Sequence, residues 1–464
     1  MITSHTGGAT AAPYRSKSDG LGQWKEQLET QWKGRRDVRV KLLGAVTAGL
    51  FVLWLFSLNV RDRSPPCDAL HQPGRLLVNL TSPLHTHWRP FAESQCPPLP
   101  KYLPALWQLT HGVERSFPMY QSSTFSKEYR QVAAEPLPPH LLASFASTAD
   151  PISFLRKRRR HPPTVLVIGD SVDRNGLVHF CQLFRRNVTI SHYHDITKSP
   201  PGPYPGDLTR GHGPKHEGWD QRGLMHRCEI PFVDGSGIAM RVVNGFHYGM
   251  DALDEFNTPD HTDWHAPGRI ENRIDELIVP AVEQLGGTDK VDVVQLHSGM
   301  WDLALFGMQD DKTRWSLTVP LTPEQLAWWQ ERMLHAIYHV RQRFPRARLV
   351  FRKLHRTDDA VAGTQYITNR APFLVLRLLT RADLRFAPAV RVHQLRHLQE
   401  EVARSEGLPI FDFGHVLEGY QFFQEKVHPL LVPGGVTYAH NLVHQLRLAL
   451  ESRTSWRRGW LWDS

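Results

Sequence analysis

The chain has 464 residues, 41% of them hydrophobic, with a net charge of +9 and 14 tryptophans. That is enough material for two or three domains, or one large domain with extensions and a sizeable core. The basic excess sits largely in two clusters, Lys33 to Lys41 and Arg156 to Arg160, and no nucleic-acid-binding motif accompanies it. Nucleic acid is therefore set aside as a partner.

Met1 to Asp37 is polar, rich in Gly, Ser and Thr, and reads as a disordered cytosolic tail, residues 1–41. Leu42 to Val60 has no charged residue and is apolar throughout, long enough for a helix to span a bilayer core. Lys33, Arg35, Arg36, Arg39 and Lys41 precede it, against Arg61 and Arg63 after it. The positive-inside rule then predicts a single-pass type II anchor, with the rest of the chain in the lumen. All four cysteines lie on that side, and two disulfides are expected: Cys67 with Cys96 and Cys181 with Cys228. Four buried thiols are the alternative. Asn79-Leu80-Thr81 and Asn187-Val188-Thr189 are glycosylation sequons on the same side.

Residues 61–161 are rich in Pro and read as a lumenal stem packed in part on the domain that follows, with Leu103 to Val113 helical. Arg156-Lys157-Arg158-Arg159-Arg160 is read as a solvated loop, or as a processing site. From Thr164 on, strand-like and helix-like runs alternate. Strands are expected at Thr164 to Ile168, Ile238 to Asn244, Val291 to His297, Ala347 to Leu354 and Leu408 to Phe413. Helices are expected at Val172 to Arg185, Arg269 to Leu285, from the Thr322-Pro323-Glu324-Gln325 capping box to Phe344, and Ala389 to Glu406. Residues 162–464 thus form an α/β domain, a flavodoxin-like three-layer α/β/α sandwich with about five parallel strands. Ser191 to Arg227 reads as a long loop.

Chemistry gathers at Pro163 to Cys181, PTVLVIGDSVDRNGLVHFC. Ser171 falls at the tip of the first parallel strand and the mouth of a helix, where free N–H groups favour developing negative charge. A hydroxyl there is a candidate nucleophile if a base lies nearby. As a plain structural element, Asp170 or Ser171 only caps the helix.

Gly169-Asp170-Ser171, Arg174-Asn175 and Cys181 at these spacings resemble the opening block of the SGNH/GDSL hydrolase superfamily, in particular its PC-esterase and trichome-birefringence-like branch. The resemblance implies an SGNH fold and a lumenal serine acyl-transfer enzyme, a glycan O-acetyltransferase or acetyl esterase, in a secretory compartment such as the Golgi. It implies a triad of Ser171, His428 and Glu425, matching the family's Asp-x-x-His-Pro element with Glu for Asp; Asp412 is the alternative acid. The oxyanion would be held by the Ser171 N–H, Gly245 and His297, the last standing where the family has Asn. Arg174, Asn175, Trp301, Asp302 and Arg352 would hold the glycan or acyl donor. No cofactor or metal is implied beyond an acetyl-donor substrate, and the partners are the membrane and a glycan or acyl ester.

Glu425 and His297 in place of the usual Asp and Asn keep a second reading open, a catalytically inactive glycan-binding protein of the same fold. A third, a metal enzyme, rests on His261-Thr262-Asp263-Trp264-His265 and His192-Tyr193-His194-Asp195, which offer ligand types at tight spacing.

Overall fold

Short β-branched runs separated by amphipathic helices need a sheet covered on both faces. The computed structural model describes this arrangement over residues 43–52, 54, 67–79, 82–112, 150–157, 160–192, 224–250, 267–313, 320–356, 383–418, 423–424 and 427–459. The chain divides into two compact units, Met1–Cys67 and Asp68–Ser464. In the first, residues 43–52 and 54 are helical with exposed side chains. No described helix is long and apolar enough to cross a membrane, and the rest of the expected span lies outside the described residues.

The second unit opens with an antiparallel ribbon, β1 (Gly74–Leu77) and β2 (His87–Pro90), then α1 (Tyr102–His111) and a single turn, α2 (Ser153–Arg156). β3 (Thr164–Gly169), α3 (Ser171–Leu183), β4 (Thr189–His192), β5 (Leu224–Pro231) and β6 (Ile238–Phe246) follow. α4 (Ile270–Arg273) runs through a π-helical turn (Ile274–Ile278) into α5 (Val279–Gln284). The remainder is β7 (Val293–Leu296), α6 (Met300–Thr313), α7 (Pro323–Arg343), β8 (Arg348–Arg352), α8 (Asp383–Ser405), β9 (Ile410–Phe411), α9 (Phe413–Val416), β10 (Phe423–Gln424), β11 (His428–Pro429) and α10 (Val436–Gly459).

Among the described residues the main sheet has seven strands, in the order β4-β5-β6-β3-β7-β8-β9. β6, β3, β7, β8 and β9 are parallel, at the five expected places. The expected sandwich needs one correction: β5 and β4 extend it with antiparallel pairing, as Cys228 opposite Val242 and Thr189 opposite Arg227. Parts of the segment expected as loop, Ser191–His192 and Leu224–Arg227, are strand. In the latter, the polar His226 and Arg227 hide the apolar alternation.

β3 is central, and its run Thr-Val-Leu-Val-Ile is buried on both faces, as parallel strands are. The two-residue period of a strand sends Val165 and Val167 into one core and Leu166 and Ile168 into the other. The first core is closed by α3 and α10, with Phe180, Tyr438 and Leu446. The second is closed by α4, α5, α7 and α8, with Leu277, Trp329 and Leu395. Trp88, Tyr102, Trp107 and Leu155, from the segment expected as stem, belong to the first core. Cys181 of α3 is bridged to Cys228 of β5, and Cys67 and Cys96 are likewise disulfide-bonded.

Candidate active site

The site grows from one helix start. A helix leaves its first amides without partners, and here the sequence Gly169-Asp170-Ser171-Val172-Asp173 assigns nearly all of them. Asp170 is the N-cap: its carboxylate accepts the N–H of Val172 at 2.9 Å and that of Asp173. Asp173 reaches back to accept the N–H of Asp170 at 3.2 Å, completing a capping box. Residue 169 has to be glycine, because a Cβ there would collide with the returning Asp173 carboxylate. Arg174 N–H bonds Asp170 C=O at 3.1 Å. One first-turn donor remains. Among the described residues, no acceptor takes the N–H of Ser171.

The Ser171 hydroxyl meets an imidazole that arrives from β11, 257 residues later: Ser171 Oγ lies 2.8 Å from His428 Nε2. His428 is 8% exposed, so the pair is nearly dry but reachable. Its strand is pinned on both sides. Gln424 of β10 pairs with it, and His355 donates its Nε2–H to the carbonyl of the preceding Val427 at 2.9 Å. Burial, then the nearby Arg352, drives the His355 pKa down to about 3, so this ring is a neutral donor. His179 of α3 is also near. Burial and then the charge of His428 push it down to about 4, so His428 has a neutral neighbour at physiological pH.

Beneath Ser171 is a closed ion network. Arg352, fully buried, forks onto Asp173, with Nε to Oδ1 at 2.7 Å and Nη2 to Oδ2 at 2.9 Å, and its Nη2 lies 3.5 Å from Asp170 Oδ1. His297, also fully buried, directs Nε2 to Asp170 at 3.2 Å and Nδ1 to the carbonyl of Arg352 at 2.9 Å. Burial would raise the Asp170 carboxyl, but His297 and then Arg352 hold it far below the usual carboxylate range. Burial likewise opposes the Arg352 charge, and Asp173 and Asp170 more than offset it.

A one-way chain of donors adds to this. Arg348 Nε–H points to Gln445 Oε1 (3.3 Å), Gln445 Nε2–H to Asn441 Oδ1 (3.4 Å), and Asn441 Nδ2–H to Gln295 Oε1 (3.0 Å). Gln295 Nε2–H then points to Tyr438 Oη, and Tyr438 O–H to Asp173 Oδ1, each at 2.7 Å. Every dipole turns its positive end toward Asp173, an arrangement that strengthens each bond in the chain. Burial, and then Asp173, hold the Tyr438 phenol well above its ordinary range, which keeps its proton in place. The consequence for chemistry is electrostatic. Two carboxylates at the mouth of α3 would repel an oxyanion forming at Ser171, and Arg352 with the donor chain cancels that repulsion.

The other expected site residues divide. Arg174 and Asn175 are half-buried beside Ser171 on α3, with the Arg174 guanidinium 5.5 Å above the Phe246 ring. Trp301 is half-buried edge-on to Tyr248, centroids 4.6 Å apart. Glu425, expected as the triad acid, lies outside the described residues. Asp412 is engaged elsewhere: it caps α9 and pairs with Lys353 at 2.7 Å and Arg396 at 2.8 Å. Three expectations are corrected by burial. Arg352 is not on a ligand-facing surface, because it neutralises Asp173. Both nitrogens of His297 are committed, so it supports Asp170 instead of facing an oxyanion. Asp302 is buried and holds the Gly299 turn, accepting from Ser298 Oγ, from Trp329 Nε1 at 2.9 Å and from Met250 N–H at 2.6 Å.

Gly245 also departs from its expected place. It lies inside β6; Arg241 N–H bonds the carbonyl of Pro163, just ahead of β3, and His247 N–H, just past β6, bonds that of Gly169, both at 2.9 Å. Strand alternation turns the Gly245 amide toward the same ladder. The residues that sequence reasoning missed are Asp173, Tyr438 and Gln295. For Asp173 the signal was present, since Asp-x-x-Asp at a strand-to-helix turn reads as a capping box.

Asp170, Asp173 and His297 have ligand atoms within 4.8 Å of one another, the spacing of a metal site. The Arg352 guanidinium already supplies the positive charge among them, so the residues do not fit a cation. The His261–His265 pair and residues 193–195 lie outside the described residues.

No family model matches the chain, and no curated relative matches it. Among solved structures, it is similar to a GDSL-like lipase from Parabacteroides merdae at 11% identity, over 63% of this chain and 98% of that one, with a TM-score of 0.30. It is also similar to a peptidoglycan O-acetylesterase at 10% identity, over 65% of this chain and 94% of that one, with a TM-score of 0.31. At these scores neither likeness bears on function, which is read from the site's own geometry.

Proposed function

We propose that this chain is a serine acyl-transfer enzyme of the SGNH type, a glycan O-acetyltransferase or acetyl esterase. The observation that carries the reading is the 2.8 Å contact between Ser171 Oγ and His428 Nε2, beside a first-turn amide left over by the capping box. His428 Nε2 takes the Ser171 proton as the oxygen attacks the ester carbonyl carbon. The carbonyl π-pair moves onto oxygen, and that oxyanion accepts the Ser171 N–H. Collapse breaks the ester C–O bond, and the leaving alcohol takes the proton from His428. Water or a sugar hydroxyl then attacks the acyl-serine in the same way, its proton passing to His428 and back to Ser171. Glu425 is proposed to orient His428. Two disulfides and the exposed Asn187 sequon support a lumenal setting behind a type II anchor.

The test is single-turnover reaction with an activated acetyl ester. Wild-type protein should give a burst of one acetyl per chain, carried on Ser171, and Ser171→Ala should give none; a burst that persists in the alanine variant removes Ser171 as nucleophile. A second reading, binding without catalysis, is favoured by the commitment of His297, which leaves the oxyanion one side-chain donor fewer. Failure of a fluorophosphonate to label Ser171 in folded protein would select it.

A further inference from the structure

Arg156, Lys157 and Arg160 of the basic run take no part in the chemistry above, yet they border a cleft of about 630 Å³. That volume falls in the range of ligand pockets, roughly 300–1,000 Å³. The cleft lies at the opposite end of the sheet from Ser171, since Pro162 and Pro163 lead into β3 and Ile238 opens β6. The length of β3 separates the two, about 20 Å at the rise of a strand. Its walls include the apolar Leu109, Leu155, Phe232 and Ile238, and its rim carries Arg156, Lys157, Arg160 and His161. Asp234 is the single carboxylate among the described lining residues. Arg156 pairs with Asp150 at 2.9 Å, both substantially exposed. Among the described residues, Lys157 and Arg160 are exposed and have no carboxylate partner.

We propose that this cleft is an anchoring site for an anionic polysaccharide, a uronate- or sulfate-bearing chain, whose acetylated part reaches Ser171. The inference rests on the acyl-transfer reading and adds the substrate class. Apolar walls accept the C–H faces of sugar rings while the rim cations meet their carboxylate or sulfate groups. Holding a long chain at one end of the sheet raises its effective concentration at the other. The cleft therefore lowers KM for a polymer and leaves the chemical step alone.

The test uses the 464-residue chain and the exposed double variant Lys157→Glu/Arg160→Glu. Three substrates are compared: an activated acetyl ester, O-acetylated polygalacturonate and O-acetylated neutral xylan. The variant should raise KM for the acidic polymer on the order of tenfold, with kcat and the other two substrates unchanged. The wild-type KM for the acidic polymer should climb with salt, and that of the variant should climb less. Equal KM values for variant and wild type overturn the inference. If no substrate is turned over, the acyl-transfer reading fails separately, and retention of unacetylated polygalacturonate in affinity electrophoresis still decides the cleft. Retention lost in the variant supports it; retention kept, or a DNA oligonucleotide of equal charge held as tightly, overturns it.

Discussion

The two ends of the central sheet handle charge in opposite ways. At the carboxyl end, Asp170, Asp173, Arg352 and His297 are buried, and each is answered by a partner within about one hydrogen bond of distance. At the amino end, Lys157 and Arg160 stand in water. Burial makes an unanswered charge prohibitive, so the Ser171 end is a closed circuit that, among the described residues, leaves one first-turn donor of α3 free, the Ser171 amide. Exposure lets the other end keep its charges without partners, which is what the proposed anchoring site requires. The acyl-transfer reading asks for preorganisation at one end, and the anchoring proposal asks for surplus charge at the other.

The hardest way to break this contrast is at the proposed nucleophile. Ser171→Ala should lower kcat for an activated ester by about 10⁴-fold or more with the thermal midpoint little changed, read by steady-state kinetics and calorimetry. Next comes Arg352→Gln, which strands two buried carboxylates. Urea unfolding should report a loss of about 3–5 kcal/mol, and adding Asp173→Asn should return part of it. If Arg352→Gln costs no more than a surface change, the charge-cancelling role is wrong.

Packing under the same helix gives a smaller effect. A Cβ at Gly176 would lie 2.6 Å from the Tyr438 ring, so Gly176→Ala should cost about 1–3 kcal/mol and loosen the Tyr438–Asp173 bond. Acid probes buried rings without mutation, His179 and His355 at the closed end and His440 and His444 against the N-terminal ribbon and α1. Burial holds His179 and His444 down to about 4 and His355 and His440 down to about 3. Each is depressed below its unfolded value of 6.5, so between these limits the unfolded chain binds more protons. Stability from these rings is complete above pH 6.5 and is lost as pH falls toward 3, and the thermal midpoint should drop steeply over that window. Lys157→Glu/Arg160→Glu closes the series, with a stability change under about 0.5 kcal/mol.

Much of the parallel sheet was legible because β-branched runs and capping boxes are local signals. β3 and α7 fall within one or two residues of their expected bounds. Strands β4 and β5 were less so, because His192, His226 and Arg227 break the apolar pattern and the pairing that stabilises them is non-local. The site divides on the same line. Ser171 and His428 were marked by motif. That Arg352 would be consumed by Asp173, 179 residues earlier, depends on which side chains the fold brings together, and no spacing in the chain records it.

The insertion of α1 into the domain core bears on any cut in the basic run after α2. Tyr102 and Trp107 are buried, and Tyr102 Oη accepts a hydrogen bond from Arg447 at 2.8 Å in α10. Proteolysis among Arg156 to Arg160 would therefore yield a nicked protein whose two fragments stay associated without a covalent link. A shortened version for expression has to begin ahead of Asp68; one that starts at β3 would leave the wall formed by α3 and α10 without its cover.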